Sequence, residues 1–339
     1  MRGEDNKVLV TGVAGFIGRH VAQHCLDFGF KVVGIDDLSE GFLENIPQGV
    51  EFIKGDVGDS YLIKQITEKY RFDYIYHLAG FAAEGLSHFV RRYNYTANLL
   101  GSINLINAAV RTKVKCFIYT SSVAVYGSQK APFHEEMVPL PKDPYGISKY
   151  AVEMDLKAAR EVFGLNFIIF RPHDVYGEYQ NFSDPYRNVV GIFINRLLEN
   201  EPITVVGDGL QTRAFSYIGD VAPIIAESPR KTEIHNQIFN IGSDERHTIL
   251  ELAQVVAKCF GVRPEIVHLD PRKEAKHTFL SHEKLKKYFW ERKMISLEEG
   301  VHRMVQWART KENSRYTKFK DIEIFDNLPP AWKDKDVKP

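Results

Sequence analysis

The sequence has little cysteine and no excess of charge of either sign. Cys25, Cys116 and Cys259 are an odd number, far apart, and form no CxxC pair. That spacing supplies neither a disulfide framework nor a zinc site, so free and mostly buried thiols in a reducing compartment are expected. Lys plus Arg and Asp plus Glu number 44 each, which leaves a formal net charge of zero. With no basic tract the electrostatic footprint of a nucleic-acid binder is missing, and no nucleic-acid partner is expected. Long apolar runs are also absent: MRGEDNKVLV lacks the stretch of a secretory signal, and no run approaches membrane-spanning length. The expectation is a cytoplasmic protein with no membrane partner. There is no internal repeat and no low-complexity tract.

What is present is the balance of a soluble globular chain. Hydrophobic residues make up 44% and charged residues 26% of 339, enough for one large domain or two that share an interface. The runs KVLV, KVVGI, VEFI, DYIYH, CFIYT and NFIIF alternate with longer helical patterns, among them 88–111 and 146–163. The strands are almost continuously apolar, as they must be when helices cover both faces of a parallel sheet. The order predicts an α/β fold, a Rossmann-type doubly wound parallel sheet, over the first half. After residue 172 the alternation loosens, and QIFNIG looks like a return to the sheet. The expected division is a dinucleotide-binding domain of 1–172 and 212–245, a smaller substrate-binding domain of 173–211 and 246–310, and a loosely packed charged tail of 311–339.

KVLVTGVAGFIGRH sets Gly12, Gly15 and Gly18 between a strand and a helix. Glycine allows a tight turn and a close approach of backbone to a pyrophosphate, whose charge the helix N-terminus favours. The next strand ends at Asp36, 18 residues after Gly18, with Asp37 following. A carboxylate there accepts hydrogen bonds from ribose hydroxyls and repels a 2′-phosphate, so the expected cofactor is NAD and not NADP. Asp56, in KGDVGD, has two readings, a contact to the adenine amine or a cap for the helix starting near Asp59. His20 and His24 have the i, i+4 spacing of metal ligands, but such a pair is more often plain helix surface, and no metal is expected.

In PYGISKY, Lys149 follows Tyr145 by four residues, so on a helix the phenol and the ammonium share a face. A nearby cation favours the phenolate, which turns a tyrosine into a plausible general base. Upstream, TSSVAVYG ends the strand CFIYT.

These landmarks in this order, TGVAGFIG, DDLSEG, GDVGD, HLAGFAA, NLLGSINLINAA, TSSVAVYG, PYGISK, RPHDVYG and GDGLQTRAFSYIGDV, resemble the extended short-chain dehydrogenase/reductase family. The resemblance runs from Lys7 to Arg309 and is strongest to its nucleotide-sugar epimerase/dehydratase branch, the UDP-hexose 4-epimerases above all. It implies a catalytic set of Ser122, Tyr145 and Lys149, with Lys149 also reaching the nicotinamide ribose. It implies that Gly12, Gly15, Phe16, Ile17, Gly18, Asp36, Asp37, Leu38, Ser39, Gly41, Asp56, Val57, Leu78, Ala79, Gly80 and Asn98 line the dinucleotide. His173 stands near the nicotinamide by its place in the motif, although a packed loop histidine is an equal reading. The implied substrate is a UDP-sugar, met by Ser122, Tyr145, Asp174, Asn188, Arg213 and Arg272. For both arginines a solvated surface charge is the alternative reading, with Lys273 standing in for Arg272 if the register slips. Alignment on Lys284 puts Thr278 where a bulky residue restricts substituents on carbon 2 in some relatives. The family also implies a homodimer, formed by the helices of 88–111 and 146–163.

Three positions depart from the pattern. Asp174 replaces the usual Asn, Ala214 a common Asp, and Tyr179 a frequent Arg or Gly. The positions after Ser122 discriminate between reactions. Related 4,6-dehydratases carry Asp then Glu there, and related UDP-glucuronate decarboxylases a Glu at the second; here they are Val123 and Ala124. The expectation is therefore epimerisation at carbon 4, with Tyr145 as base. A dehydratase, decarboxylase or reductase is the enzymatic alternative, and a dinucleotide-sensing protein on the same fold the non-enzymatic one.

Overall fold

The structure is a computed structural model, which describes residues 6–184, 186, 188–270, 276–289, 294–311 and 322–329. Its first half alternates strand and helix: β1 (Lys7–Thr11), α1 (Phe16–Asp27), β2 (Lys31–Asp36), β3 (Glu51–Lys54), α2 (Ser60–Tyr70) and β4 (Tyr74–His77). A long helical run follows, α3 (Arg91–Tyr95), a π-helical turn Thr96–Leu100 and α4 (Gly101–Thr112), then β5 (Cys116–Thr120), α5 (Pro144–Phe163) and β6 (Phe167–Pro172). The strand Gln237–Ile241 completes a seven-stranded sheet, pairing parallel with β6. From that strand the sheet runs β6, β5, β4, β1, β2, β3, with all pairs parallel. This is the doubly wound α/β sheet that the alternating pattern predicted.

Period-two alternation in the strands builds a core on each face. Val8 and Val10 of β1 pack with α1 and with α7 (Ile218–Glu227), while Leu9 packs with α2, α4 and α5. Chain order reverses between β1 and β4, and the strand ends beside that switch are where a doubly wound sheet offers a crevice to a ligand. Thr11 fastens the two strand ends there. Its hydroxyl lies 2.9 Å from Nδ1 of His77 and accepts from the backbone N–H groups of Leu78 and Ala79 at 3.1 and 3.0 Å.

The smaller part adds α6 (Val189–Leu198), α8 (Ile249–Phe260), α9 (Glu283–Phe289), α10 (Leu297–Ala308) and short strands. Ile203–Val206 pairs with Ile266–Leu269, and Thr212–Arg213 pairs with both His247–Thr248 and His277–Thr278. Ser216–Tyr217 pairs parallel with Val175–Tyr176 in a separate two-stranded sheet just past β6. Cys25, Cys116 and Cys259 are free thiols. Among the described residues no helix is long and apolar enough to cross a membrane. The expectation of a loosely packed tail needs correction for the piece that is described: Ile322 packs against an apolar cluster and Leu328 is buried.

Candidate active site

One cavity of about 1090 Å³ runs along the strand ends from the glycine loop to the smaller part. At one end the loop is shaped by contacts that only glycine satisfies. Gly12 has φ +70°, and a Cβ there would lie 2.9 Å from the Ala79 backbone; a Cβ on Gly18 would lie 1.9 Å from the Gly12 carbonyl oxygen. Helix α1 begins at Phe16 with Gly15 as its cap residue, no side-chain cap and no acidic residue in the first turn. Its first N–H groups therefore meet no competing side-chain acceptor, which suits a pyrophosphate.

Asp36 is buried at the end of β2, and both its oxygens are oriented by backbone. Oδ2 accepts from Ala14 N at 3.0 Å and Oδ1 from Leu38 N at 2.8 Å. Burial pushes its carboxyl up, and these N–H groups oppose the rise. Gly15 N–H adds a third backbone interaction, and the carboxylate still has acceptor capacity for a ribose hydroxyl. The Asp37 carboxylate instead receives the N–H and hydroxyl of Ser39. For Asp56 the helix-cap reading passes to Asp59, which accepts from Tyr61 N and Leu62 N, while Asp56 borders the cavity and accepts from Gly58 N. The residues present fit NAD: a backbone cradle for the pyrophosphate and a ribose-facing carboxylate.

Gly12, Gly15, Phe16, Ile17, Gly18, Asp36, Asp37, Ser39, Gly41, Asp56, Val57, Leu78, Ala79, Gly80 and His173 all border this cavity. Leu38 and Asn98 do not appear on its wall. Leu38 takes part through its N–H on Asp36, and Asn98 is buried behind the wall. The Asn98 amide clamps Phe81, accepting from its N–H at 2.9 Å and donating to its carbonyl at 3.0 Å. It shapes the Gly80–Phe81 loop where a direct dinucleotide contact was expected. His20 has its ring nitrogen 2.9 Å from the Glu178 carbonyl oxygen, and burial lowers its pKa to about 4.

At the middle of the cavity stand Ser122, Tyr145 and Lys149. Helix α5 is started by Asp143, whose carboxylate accepts from Gly146 N at 2.7 Å, and by Pro144 in its first turn. It ends at Gly164 in the left-handed region. Tyr145 is buried in the first turn, and its backbone N–H donates to the Ser87 hydroxyl at 3.3 Å. One turn on, Lys149 Nζ lies 5.7 Å from the centre of the Tyr145 ring and donates to the Thr120 carbonyl at 3.0 Å. Burial lowers the Lys149 pKa to about 8, with the Glu153 carboxylate opposing the fall. Ser122 caps a 3-10 turn, Val123–Tyr126, and accepts from Ala124 N at 3.1 Å. Val123 and Ala124 border the cavity beside it. Asp143, which also borders the cavity, caps α5, and Glu84 and Asp174 border it as well.

His173 is buried and stacks on His282 with ring centres 5.6 Å apart. Burial drops its pKa to about 3, so the ring is neutral. Asp174 sits at the cavity with φ 39°. Ala214 is fully buried, so an uncompensated charge at that position would be costly. Tyr179 carries the Arg19 guanidinium 3.5 Å above its ring centre, a cation–π contact.

At the far end Asn188, Arg213 and Thr278 border the cavity, and Thr278 stands opposite Arg213 in strand register. Each end of the Asn188 amide already has a partner, Val190 N and the Val175 carbonyl. Arg213 donates to the carbonyls of Thr212 and Lys276 at 2.9 and 3.3 Å. Arg272 and Lys273 lie outside the described residues. Sequence reasoning missed Arg196, which borders the same end. The signal was there: Asn188, Ile192 and Arg196 recur every four residues and line one face of α6.

Comparison with known proteins agrees with this geometry. Residues 8–242 match the NAD dependent epimerase/dehydratase family. The UDP-glucose 4-epimerase of Thermotoga maritima, solved with UDP-glucose, superposes with a TM-score of 0.85 at 32% identity, covering 90% of this chain and 99% of that one. The UDP-glucose 4-epimerase of Thermus thermophilus, solved with NAD, gives 0.83 at 33% identity, covering 89% and 99%. A dTDP-D-glucose 4,6-dehydratase of Mus musculus is 31% identical over 96% of this chain and 94% of its own. By the glycine cradle, the Ser122–Tyr145–Lys149 set and the extent of these matches, the chain belongs to the NAD dependent epimerase/dehydratase family.

Proposed function

We propose that this chain epimerises carbon 4 of a UDP-sugar through a transient 4-keto sugar, with Tyr145 as the general base. One observation carries the reading: Ser122, Tyr145 and Lys149 share a cavity wall with Val123 and Ala124. NAD, when bound, supplies a hydride acceptor and donor. The Ser122 hydroxyl holds the reacting oxygen of the sugar, and Tyr145 takes the proton from it. Lys149 keeps a positive charge beside the phenol and would help hold the ribose next to the nicotinamide. Related dehydratases and decarboxylases use acidic side chains at the positions of Val123 and Ala124, and neither side chain here can give or take a proton. Arg213 brings positive charge to the end assigned to the diphosphate, and Arg196, which is ion-paired with Glu201, borders the same end. The UDP-glucose bound to the Thermotoga maritima relative supports the substrate class.

A panel of UDP-sugars tests this. The correct substrate is expected to give a mixture of carbon-4 epimers, with no carbon dioxide, no stable 4-keto-6-deoxy product and no stoichiometric NADH. The short side chain of Thr278 leaves room on carbon 2, so both acetylated and plain UDP-hexoses are expected to turn over. A 4-keto-6-deoxy sugar as main product would sink the reading in favour of a dehydratase. Bound NAD with no turnover of any sugar would favour the sensing protein.

We further propose a homodimer. Ile147 and Met154 are exposed on α5, two turns apart on one face, and Leu100 is exposed on the neighbouring π-helical turn. Such a stripe suits helix–helix packing across a two-fold axis. Light scattering at micromolar concentration is expected to return twice the mass of one chain; a monomer would refute it.

A further inference from the structure

The segment around Glu323 lies outside residues 8–242, which match the family model, and it grips the helix beside the cavity. The helical run that starts at Arg91 has Val90 as its cap residue, with no side-chain cap. Valine cannot accept a hydrogen bond, so the first N–H groups of the run need a partner from elsewhere. Glu323 supplies it from 231 residues away in sequence: Oε2 accepts from Arg92 N and Oε1 from Tyr93 N, both at 2.9 Å. The charge is of the sign that the helix dipole favours at this end. The N–H groups of Glu323 and Ile324 both donate to the Phe89 carbonyl, at 2.8 and 3.1 Å.

Apolar packing reinforces the grip. Ile322 lies against a cluster of Phe81, Ala83, Leu86 and Val90, on which Tyr93 and Tyr186 also pack. Phe81, Tyr93 and Tyr186 are themselves part of the cavity wall. Tyr93 belongs to its adenosine end: Glu40, Asp37 and Asp56 surround its phenol, which burial first and these carboxylates second push up to about 12. Phe81 meets Tyr93 edge to face at 5.2 Å and is the residue clamped by Asn98.

We propose that Glu323 is a positioning residue for the cofactor, fixing the turn from which Tyr93 closes the adenosine end and so retaining NAD. Only 90% of this chain is needed to cover 99% of the Thermotoga maritima enzyme. That match leaves a tenth of this chain over, whereas the Mus musculus dehydratase aligns with 96% of it. The role of Glu323 rests on the reading of the cavity as a NAD site and is independent of which sugar is turned over.

The test measures NAD retained per chain after gel filtration, and its dissociation rate, in the full-length protein and in Glu323→Ala, Glu323→Gln and Ile322→Ser. Glu323→Ala is expected to release NAD roughly 3- to 30-fold faster, the scale of a lost helix cap. Turnover at saturating NAD is expected to stay near wild type, so that the loss falls on cofactor affinity and not on kcat. Glu323→Gln, which keeps one acceptor oxygen, should fall between the two. Ile322→Ser keeps the carboxylate and loosens the packing, and is expected to speed release as well. Wild-type retention in Glu323→Ala, or a drop in kcat that saturating NAD does not restore, would overturn the proposal. A wild-type protein that binds no NAD would instead remove the reading of the cavity itself.

Discussion

Tyr145→Phe is expected to cut turnover of the UDP-sugar about 100- to 10,000-fold, the usual loss when one positioned general base is removed. Bound NAD should be retained. The substitution deletes the phenolic oxygen and keeps the ring, which is buried in the first turn of α5. The start of that helix does not depend on the missing oxygen, because Asp143 holds Gly146 and Ser87 holds the Tyr145 N–H. Lys149 stays anchored on the Thr120 carbonyl. The glycine loop is built from β1, α1 and their contact with the Ala79 backbone, none of which involves Tyr145. Loss of turnover with NAD in place, seen by single-turnover assay and by cofactor content, would separate chemistry from binding. Epimerisation at the wild-type rate would assign the base to another residue. Loss of both NAD and activity would mean that the ring, and not the hydroxyl, was the essential part.

Arg171→Met is expected to destabilise the fold by about 3–5 kcal/mol, the range for breaking a buried ion pair from one side. Arg171 is 1% exposed and Glu153 0%. The guanidinium donates to Glu153 through Nε at 2.9 Å and Nη2 at 2.6 Å, and through Nη1 to the Tyr126 hydroxyl at 2.8 Å. Ser121 donates to the same carboxylate at 2.6 Å, and the Tyr126 hydroxyl donates to Asn240 Oδ1 at 2.7 Å. The network thus pins both flanks of the turn carrying Ser122, and ties α5 to β6 and to the strand Gln237–Ile241. Methionine fills part of the space but leaves the Glu153 carboxylate buried without its charge partner. A double variant, Arg171→Met with Glu153→Leu, removes both charges and is expected to recover much of the loss. Urea unfolding of the two single variants and the double one reads this directly. A change under about 1 kcal/mol for Arg171→Met would show that Glu153 is held by its other partners.

The elements of the sheet, the glycine loop and the Tyr145–Lys149 pair were determined by the sequence itself, since each is a matter of spacing within one or two neighbouring segments. Helix periodicity puts residues 145 and 149 on one face wherever the helix lies, and a strand covered on both faces has to be apolar along its length. Other features follow only from the tertiary arrangement. Glu153 is one helical turn past Lys149, but its partner Arg171 comes from the neighbouring strand β6, and only sheet order brings the two together. The same holds for Asn98, which reads as a cofactor ligand in the motif and becomes a clamp on Phe81 because the π-helical turn faces it inward. The tail reads as loose charge, since nothing local tells Glu323 that an uncapped helix start lies within reach. Local periodicity fixes which groups a segment presents; which of them meet depends on packing between segments far apart in the chain, and that was settled by the folded core alone.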